Sequence, residues 1–327
     1  MIHPRFLRFP IGLVCSALLL IAGLPASISM AAGDETGQTP PNFIVVLVDD
    51  LGWTDLGCYG SKYYETPFID QLAEEGMRLT NAYAACAVCS PTRAALLTGR
   101  YPARHGITDW MRPKIWGGTI PKDGKNPSGF DNPGLKLLTP KNHLWMELNE
   151  LTFAEILRKA GYATCHIGKW HLGAEDWYPD KQGFNHNLGG NDYGQPPRYF
   201  YPYGRQDAPA MPGLETGTEG EYLTDREAAE AVTFIRDNQD KPFLLYLAHY
   251  AVHTPIQAKP ELTSKFEAKE KAGQKSAEYA SMIASVDESM GRILATLDEL
   301  DLSDNTIIML TSDNGGLLNY TNNTPLR

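Results

Sequence analysis

The chain has 327 residues, 43% of them hydrophobic, enough to bury a full core in one large α/β domain or two unequal ones. Its formal net charge of −10 argues against nucleic acid or an anionic membrane as a general partner. An anionic ligand must instead be held by local basic residues.

Residues 1–32 read as a secretory signal peptide. Arg5 and Arg8 give a basic start, residues 11–24 an apolar stretch, and Ser29-Met30-Ala31 or Met30-Ala31-Ala32 a small-residue cleavage site. Pro25 and the serines interrupt the apolar run, so no stable membrane span is expected. The mature protein is therefore expected outside the cytoplasm, periplasmic or extracellular. Removing this segment takes away two arginines and no acid, which brings the charge from −10 to −12. Four cysteines remain, Cys58, Cys86, Cys89 and Cys165, and export permits disulfides among them, although spacing does not fix a pairing. Cys86-Ala87-Val88-Cys89 has redox spacing but lacks a thioredoxin-like βαβ context.

Residues 33–41 are polar, end in Pro40-Pro41 and read as a linker; residues 42–327 form the main domain. Asn42-Phe43-Ile44-Val45-Val46-Leu47-Val48 is the continuous apolar run of a strand buried on both faces. It ends in Asp49-Asp50. Adjacent carboxylates at a buried strand end repel each other unless a cation intervenes, so the pair reads as metal ligands rather than a turn cap. Thr66-Pro67 opens a helix to Glu75, closed by Gly76, and residues 77–83 read as a short strand.

The strand at 77–83 leads to Cys89-Ser90-Pro91-Thr92-Arg93-Ala94-Ala95-Leu96-Leu97-Thr98-Gly99-Arg100. Ser90 suits an N-cap, Pro91 the first helical position and Gly99 the C-terminal end. Cys89 would then sit just before a helix N-terminus, where backbone N–H groups and the dipole favour negative charge. Arg93, one turn further in, can point back at the same spot. A nucleophile and a cation beside an anion-binding helix end form a site for an oxyanion ester.

Residues 101–142 are rich in Gly, Pro and Lys with little periodicity; Arg104, His105, Trp110, Arg112 and Trp116 either line a sugar-binding cleft or make a plain surface loop. Thr152-Phe153-Ala154-Glu155 is a capping box for a helix to Lys159, ended by Gly161. A strand over 162–167 delivers Lys169 and His171, a cation and an imidazole two residues apart. Residues 174–220 read as irregular, 222–238 as a helix, and 243–248 as a buried strand delivering His249, read as a core residue, and His253-Thr254-Pro255. The charged run 261–275 reads as a solvated face. Tyr279, Ile283, Val286, Met290, Ile293, Leu297 and Leu300 form one apolar stripe on a long helix over 276–300. A last buried strand over 306–311 ends in Ser312-Asp313-Asn314-Gly315-Gly316. Buried strands alternating with amphipathic helices give a doubly covered, mostly parallel or mixed sheet.

The twelve residues from Cys89 to Arg100 resemble the signature of the type I sulfatases, and four further segments agree: Val48-Asp49-Asp50-Leu51-Gly52-Trp53, Gly168-Lys169-Trp170-His171-Leu172-Gly173, His253-Thr254-Pro255 and Ser312-Asp313-Asn314-Gly315-Gly316. Over residues 42–327 the resemblance implies the alkaline-phosphatase-like sulfatase fold and hydrolysis of sulfate esters on carbohydrate. It implies that a formylglycine-generating enzyme oxidises Cys89 to an aldehyde, hydrated at rest. It also implies a cation held by Asp49, Asp50, Cys89, Asp313 and Asn314. These hard oxygen ligands favour Ca²⁺ or Mg²⁺ over Zn²⁺, and the family implies Ca²⁺. Arg93 and Lys169 would hold the sulfate, His253 would protonate the departing alcohol, and His171 would take the proton of the hydrate's second hydroxyl. The rivals are a phosphatase or phosphodiesterase of the same superfamily, disfavoured because Asn314 and not His follows Asp313, and a non-catalytic carbohydrate-binding relative. In the family, Pro325-Leu326-Arg327 leads into Gly-Gly-Lys-Gly and a smaller C-terminal subdomain, so the chain is expected to lack that subdomain and a sulfate-contacting lysine.

Overall fold

A computed structural model describes residues 39–114, 120–131, 134 and 136–326. Residues 1–32, read above as a signal peptide, most of the segment read as a linker, and Trp116 lie outside the described residues.

The centre is a five-stranded sheet. Its strands are β1 (Asn42–Val48), β4 (Ala163–Gly168), β5 (His186–Leu188), β6 (Phe243–His249) and β7 (Thr306–Ser312), in the order β5-β4-β6-β1-β7. Every pairing in it is parallel. Two residues each of β2 (Phe130–Asp131) and β3 (Thr139–Pro140) pair antiparallel in the loop between α3 (Pro102–His105) and α4 (Phe153–Lys159).

The apolar runs of β1 and β6 are explained by which face each residue serves. Ile44, Val46 and Val48 of β1 and Phe243, Leu245 and Leu247 of β6 enter one core. That core is shared with α1 (Pro67–Glu75), α5 (Leu223–Asp237), α6 (Pro260–Glu267) and α7 (Ala277–Glu299). The alternate residues Val45 and Leu47, and Leu244, Tyr246 and Ala248, enter a second core with α2 (Cys89–Thr98) and α4. Period-two geometry puts a strand with helices on both sides in water on neither, at about 1.5–3 kcal/mol for each aliphatic side chain buried.

The helices largely follow their sequence signals. Thr152 and Glu155 form the reciprocal capping box of α4 (Glu155 N to Thr152 Oγ1, 3.1 Å; Thr152 N to Glu155 Oε2, 2.9 Å). α7 is capped by Ser276 and buries the stripe from Tyr279 to Leu297. Asp287 on α7 accepts from Phe68 N (3.3 Å) and Ile69 N (2.8 Å), and so supplies the N-terminal cap of α1 that Thr66 does not.

Four expectations change. Residues 77–83 are not a strand; Met77, Leu79 and Tyr83 stand in solvent, and among the described residues no strand pairs with them. β7 is buried on neither face completely: among the described residues it pairs only with β1, and Ile307 and Met309 are each 47% exposed. The stretch 174–220 contains β5, three residues held by parallel pairing to β4. The charged run 261–275 is solvated over most of its length but contains most of α6, whose Phe266 is fully buried while Lys265 and Lys269 pair with Glu65.

Candidate active site at the strand ends

The register brings the carboxyl ends of four strands level. Val48 pairs with both His249 and Ser312, and Gly168 with Ala248. The residues that follow β1, β4 and β7 are therefore neighbours although up to 264 positions separate them. Asp49, Lys169 and Asp313 are each fully buried there.

Lys169 reaches its place because Gly168 adopts φ +97°; a Cβ there would lie 2.1 Å from Ala248 O, so only glycine fits. Lys169 Nζ then donates to Asp49 Oδ2 at 2.5 Å. Arg93 comes from α2 on the sheet's other side and donates through Nε (3.0 Å) and Nη2 (2.8 Å) to Asp313 Oδ2, and through Nη1 to Lys169 O (2.8 Å). Its Nη2 also lies 3.4 Å from Asp49 Oδ1. Asp50 turns through φ +56°, a conformation aspartate tolerates better than most residues. Its N–H donates to Asp313 Oδ1 (3.2 Å), its carbonyl accepts from Tyr279 Oη (2.8 Å), and its Oδ1 accepts from Asn314 Nδ2 (2.5 Å).

Cys89 opens α2 as its first residue. Val88 is the extended N-cap position, so Ser90 lies inside the first turn rather than capping it. Ser90 Oγ instead donates to His171 O (3.0 Å) and accepts from Met111 N (3.1 Å). Gly99 ends the helix at φ +66° as its sequence suggests. Cys89, Asp49 and Asp313 each place a ligand atom within 4.8 Å of the other two. Among the described residues Cys58, Cys86, Cys89 and Cys165 are free thiols, so Cys86 and Cys89 are not joined in a disulfide.

The surroundings push the two histidines in opposite directions. His171 donates from Nε2 to Met111 O (2.6 Å), leaving Nδ1 without a partner among the described residues. Burial, with Lys169 beside it, holds it neutral, well below the usual imidazole range. His253 also loses solvation by burial, but Asp49, its hydrogen bond with the Cys89 sulfur, and Asp50 at 3.5 Å outweigh that and raise it to about 9. For Cys89 too, burial pushes the thiol up, yet Lys169, His253 and Arg93 bring it down to about 7. Burial raises Asp49, Asp50 and Asp313, with Lys169, His253 and Arg93 respectively acting most strongly against it.

The residues present fit a hard divalent cation. Asp49 Oδ1 and Asn314 Oδ1 are buried acceptors without hydrogen-bond partners among the described residues. Such oxygens are costly unless a cation or water meets them. All the candidate ligands are oxygens except Cys89, which suits Ca²⁺ or Mg²⁺.

Some supporting residues carried no legible signal. Tyr279 lies on the apolar stripe of α7, yet its hydroxyl donates to Asp50 O and to Asp55 Oδ2 (both 2.8 Å). Tyr199, fully buried, donates to Tyr250 O (2.6 Å) and His253 O (2.9 Å) and fixes the turn that carries His253. His249 is a satisfied core residue, bridging Glu227 Oε2 (2.6 Å) and Ser289 Oγ (3.0 Å). His105 is also buried, and its Nδ1 accepts from Ile107 N (3.2 Å), so it lines no cleft.

Level parallel strand ends and a sheet covered on both sides define an α/β protein, and the solved structures it resembles give its fold as alkaline-phosphatase-like. The chain belongs to the Sulfatase family, whose model matches residues 41–327. It is 35% identical to human (Homo sapiens) N-acetylgalactosamine-6-sulfatase over 307 residues, covering 88% of this chain and 52% of that protein. It is 32% identical to rat (Rattus norvegicus) steryl-sulfatase over 348 residues, covering 84% and 55%. The chain thus spans about half the length of the curated relatives it matches. Among solved structures it resembles Ps i-CgsB in complex with k-i-k-neocarrahexaose, with TM-score 0.69 and 32% identity over 88% of this chain and 62% of that one. A phosphonate monoester hydrolase of Agrobacterium radiobacter shares the fold alone, at 18% identity and TM-score 0.58 over 84% and 62%.

Proposed function

We propose that the chain carries the catalytic site of a hydrolase of sulfate esters on carbohydrate, with Cys89 as the residue converted to formylglycine. One observation carries this reading. A helix-terminal Cys89 lies within ligand reach of two buried acids that are gripped by two buried cations, Arg93 and Lys169. A tetrahedral anion placed there would meet positive charge already in position, at no cost of reorganisation during the reaction.

Asp49, Asp50, Asp313 and Asn314 would hold the divalent cation, Ca²⁺ in preference to Mg²⁺, beside residue 89. When bound, it would neutralise the acids and acidify a nearby hydroxyl. The modified residue would supply the attacking oxygen and a second hydroxyl, which a thiol lacks.

The chain's own groups provide the rest. Arg93 and Lys169 hold the charged oxygens. His253, 3.5 Å from Asp50 at the edge of the site, would donate the proton that the departing alcohol oxygen needs. His171, neutral with Nδ1 free, accepts a proton at that atom, its ring fixed by the bond from Nε2 to Met111 O. Two imidazoles driven apart by their surroundings thus divide acid and base roles. We further read residues 1–32 as the signal that exports residues 42–327 as one catalytic domain through the linker at 33–41.

The test is expression with a formylglycine-generating enzyme. Peptide mass spectrometry should find the Cys89 thiol replaced by an aldehyde, and the protein should turn over 4-nitrophenyl sulfate in preference to 4-nitrophenyl phosphate. Intact cysteine throughout, or a preference for the phosphate, would overturn the reading.

A further inference from the structure

Apart from Met111 O, which holds the His171 ring, the strap formed by residues 108–114 takes no part in the chemistry above, yet it is fastened to the site. Met111 N donates to Ser90 Oγ (3.1 Å), next to Cys89, and Met111 O accepts from His171 Nε2 (2.6 Å). The Asn142 side chain secures the residues before it. Its Oδ1 accepts from Thr108 N (2.8 Å) and Asp109 N (3.1 Å), and its Nδ2 donates to Asp109 O (3.0 Å) and Trp110 O (3.3 Å). Lys114 N donates to Asp192 Oδ2 (2.9 Å) beyond it. A surface segment whose backbone is held at Thr108, Asp109, Trp110, Met111 and Lys114 is built to present its side chains in fixed positions.

The side chains it presents are Trp110 and Arg112, on either side of the buried Met111. Trp110 is 44% exposed, and the Arg112 guanidinium carbon lies 5.7 Å from the centre of its ring. Stacking on the indole costs Arg112 none of its N–H donors. Among the described residues no carboxylate pairs with Arg112, whereas its neighbour Lys114 is tied to Glu175 (2.6 Å). The nearby acids are engaged elsewhere: Asp109 Oδ1 accepts from Trp110 N (2.8 Å), and Asp192 from Lys114 N. Asp192 lines the same crevice, but no carboxylate is paired with Arg112 among the described residues, and a positioned, unpaired arginine is matched to an anion from outside. Arg112 also lines a crevice with the stacked pair Trp145 and Trp177 and with Gly173, two residues after His171.

We propose that Trp110 and Arg112 form a second subsite beside the reacting ester. Trp110 takes the apolar face of an adjoining pyranose ring, and Arg112 takes an oxyanion, sulfate or carboxylate, carried by that ring. This rests on the sulfated-carbohydrate reading and extends it: the substrate is an oligosaccharide with anionic groups on neighbouring units.

The experiment is calorimetric titration of the full chain with Cys89 left unmodified, so that ligand is bound without turnover. Four ligands are compared: a disaccharide with a sulfate on each ring, one with a sulfate and a uronate, one with a single sulfate, and a methyl monosaccharide sulfate. Arg112→Gln should weaken the two doubly anionic disaccharides about tenfold, the worth of a charge-assisted hydrogen bond, and leave the other two within about twofold. Trp110→Ala should weaken all three disaccharides and spare the monosaccharide. Loss with only one of the doubly anionic ligands would support the subsite and identify its anion as that one. Equal loss across all four ligands, or none, would overturn the subsite while leaving the sulfatase reading intact. Failure of the wild-type chain to bind any of the four would overturn both.

Discussion

Arg93 grips Asp313 through two nitrogens on a single carboxylate oxygen: Nε at 3.0 Å and Nη2 at 2.8 Å both reach Oδ2. That arrangement leaves Asp313 Oδ1 to accept the N–H of Asp50, so one arginine on a helix sets the conformation of the turn after β1. The same Nη2 lies 3.4 Å from Asp49, which ties both acid-bearing strands to α2.

Removing this side chain would leave two fully buried carboxylates facing each other across a low-dielectric gap, countered by Lys169 and, at Asp49, by His253. Arg93→Ala should therefore cost about 3–5 kcal/mol of unfolding free energy, as broken buried pairs do. Arg93→Lys should recover part of the loss, since it restores charge without the fork. Urea denaturation in the presence of a chelator reads both. A loss below about 1 kcal/mol for the alanine variant would mean the acids are held protonated, without need of the cation.

The unmodified Cys89 thiol is held at about 7 and Cys165, where burial acts almost alone, at about 12. With metal removed, alkylation of Cys89 by iodoacetamide should rise with a midpoint near pH 7, while Cys165 stays unreactive. His253 donates to the sulfur and stabilises the thiolate, so His253→Ala should move that midpoint upward. Peptide mass spectrometry separates the thiols. An unchanged midpoint in the variant would break the link between His253 and residue 89.

Cation binding gives a third expectation. Ca²⁺ at a hundred times its dissociation constant should stabilise the chain by about 2.7 kcal/mol, because only the folded state assembles the ligands. Asp50→Ala should remove that stabilisation. Tyr279→Phe, which keeps the ring and removes only the hydroxyl that bonds the Asp50 carbonyl and Asp55, should reduce it in part. Thermal melts with and without Ca²⁺ decide the matter: full stabilisation of Asp50→Ala would exclude Asp50 from the ligand set.

The sheet and most of the site were legible because they rest on local signals. The apolar runs at 42–48 and 243–248 can be satisfied only by a strand covered on both faces, and a chemically demanding pair or triplet follows each strand end. What escaped depends on distant partners. Tyr279 reads as one more member of a helical stripe, since nothing in its neighbours reveals that its hydroxyl meets Asp50, 229 residues away. β5 is three residues long and exists only because β4 offers it an edge. Residues 77–83 show the converse: a β-like sequence remains irregular where no neighbouring ladder is available.

His166 supplies the last prediction, and it concerns folding rather than chemistry. It lies fully buried on β4 among Trp170, Phe184 and Tyr246, whose ring centres are 5.3, 5.6 and 5.5 Å away. Asn187 Oδ1 accepts from its Nδ1 at 3.2 Å, and its Nε2 has no partner among the described residues. Burial is the main cause that lowers it from its ordinary 6.5 to about 3. Because the folded value is depressed, the unfolded chain binds the proton first as acid is added. The neutral ring's contribution is therefore complete above pH 6.5 and drains away as pH falls toward 3. Linkage puts the loss at about 2 kcal/mol by pH 5. Comparing each protein with itself at pH 7 and pH 5, His166→Leu should lose about 2 kcal/mol less than the wild type over that interval, whatever its absolute stability. The carboxylates near the site titrate in both proteins and cancel in the comparison. Equal losses over that interval would show that the His166 ring is already protonated, or solvated, in the folded protein.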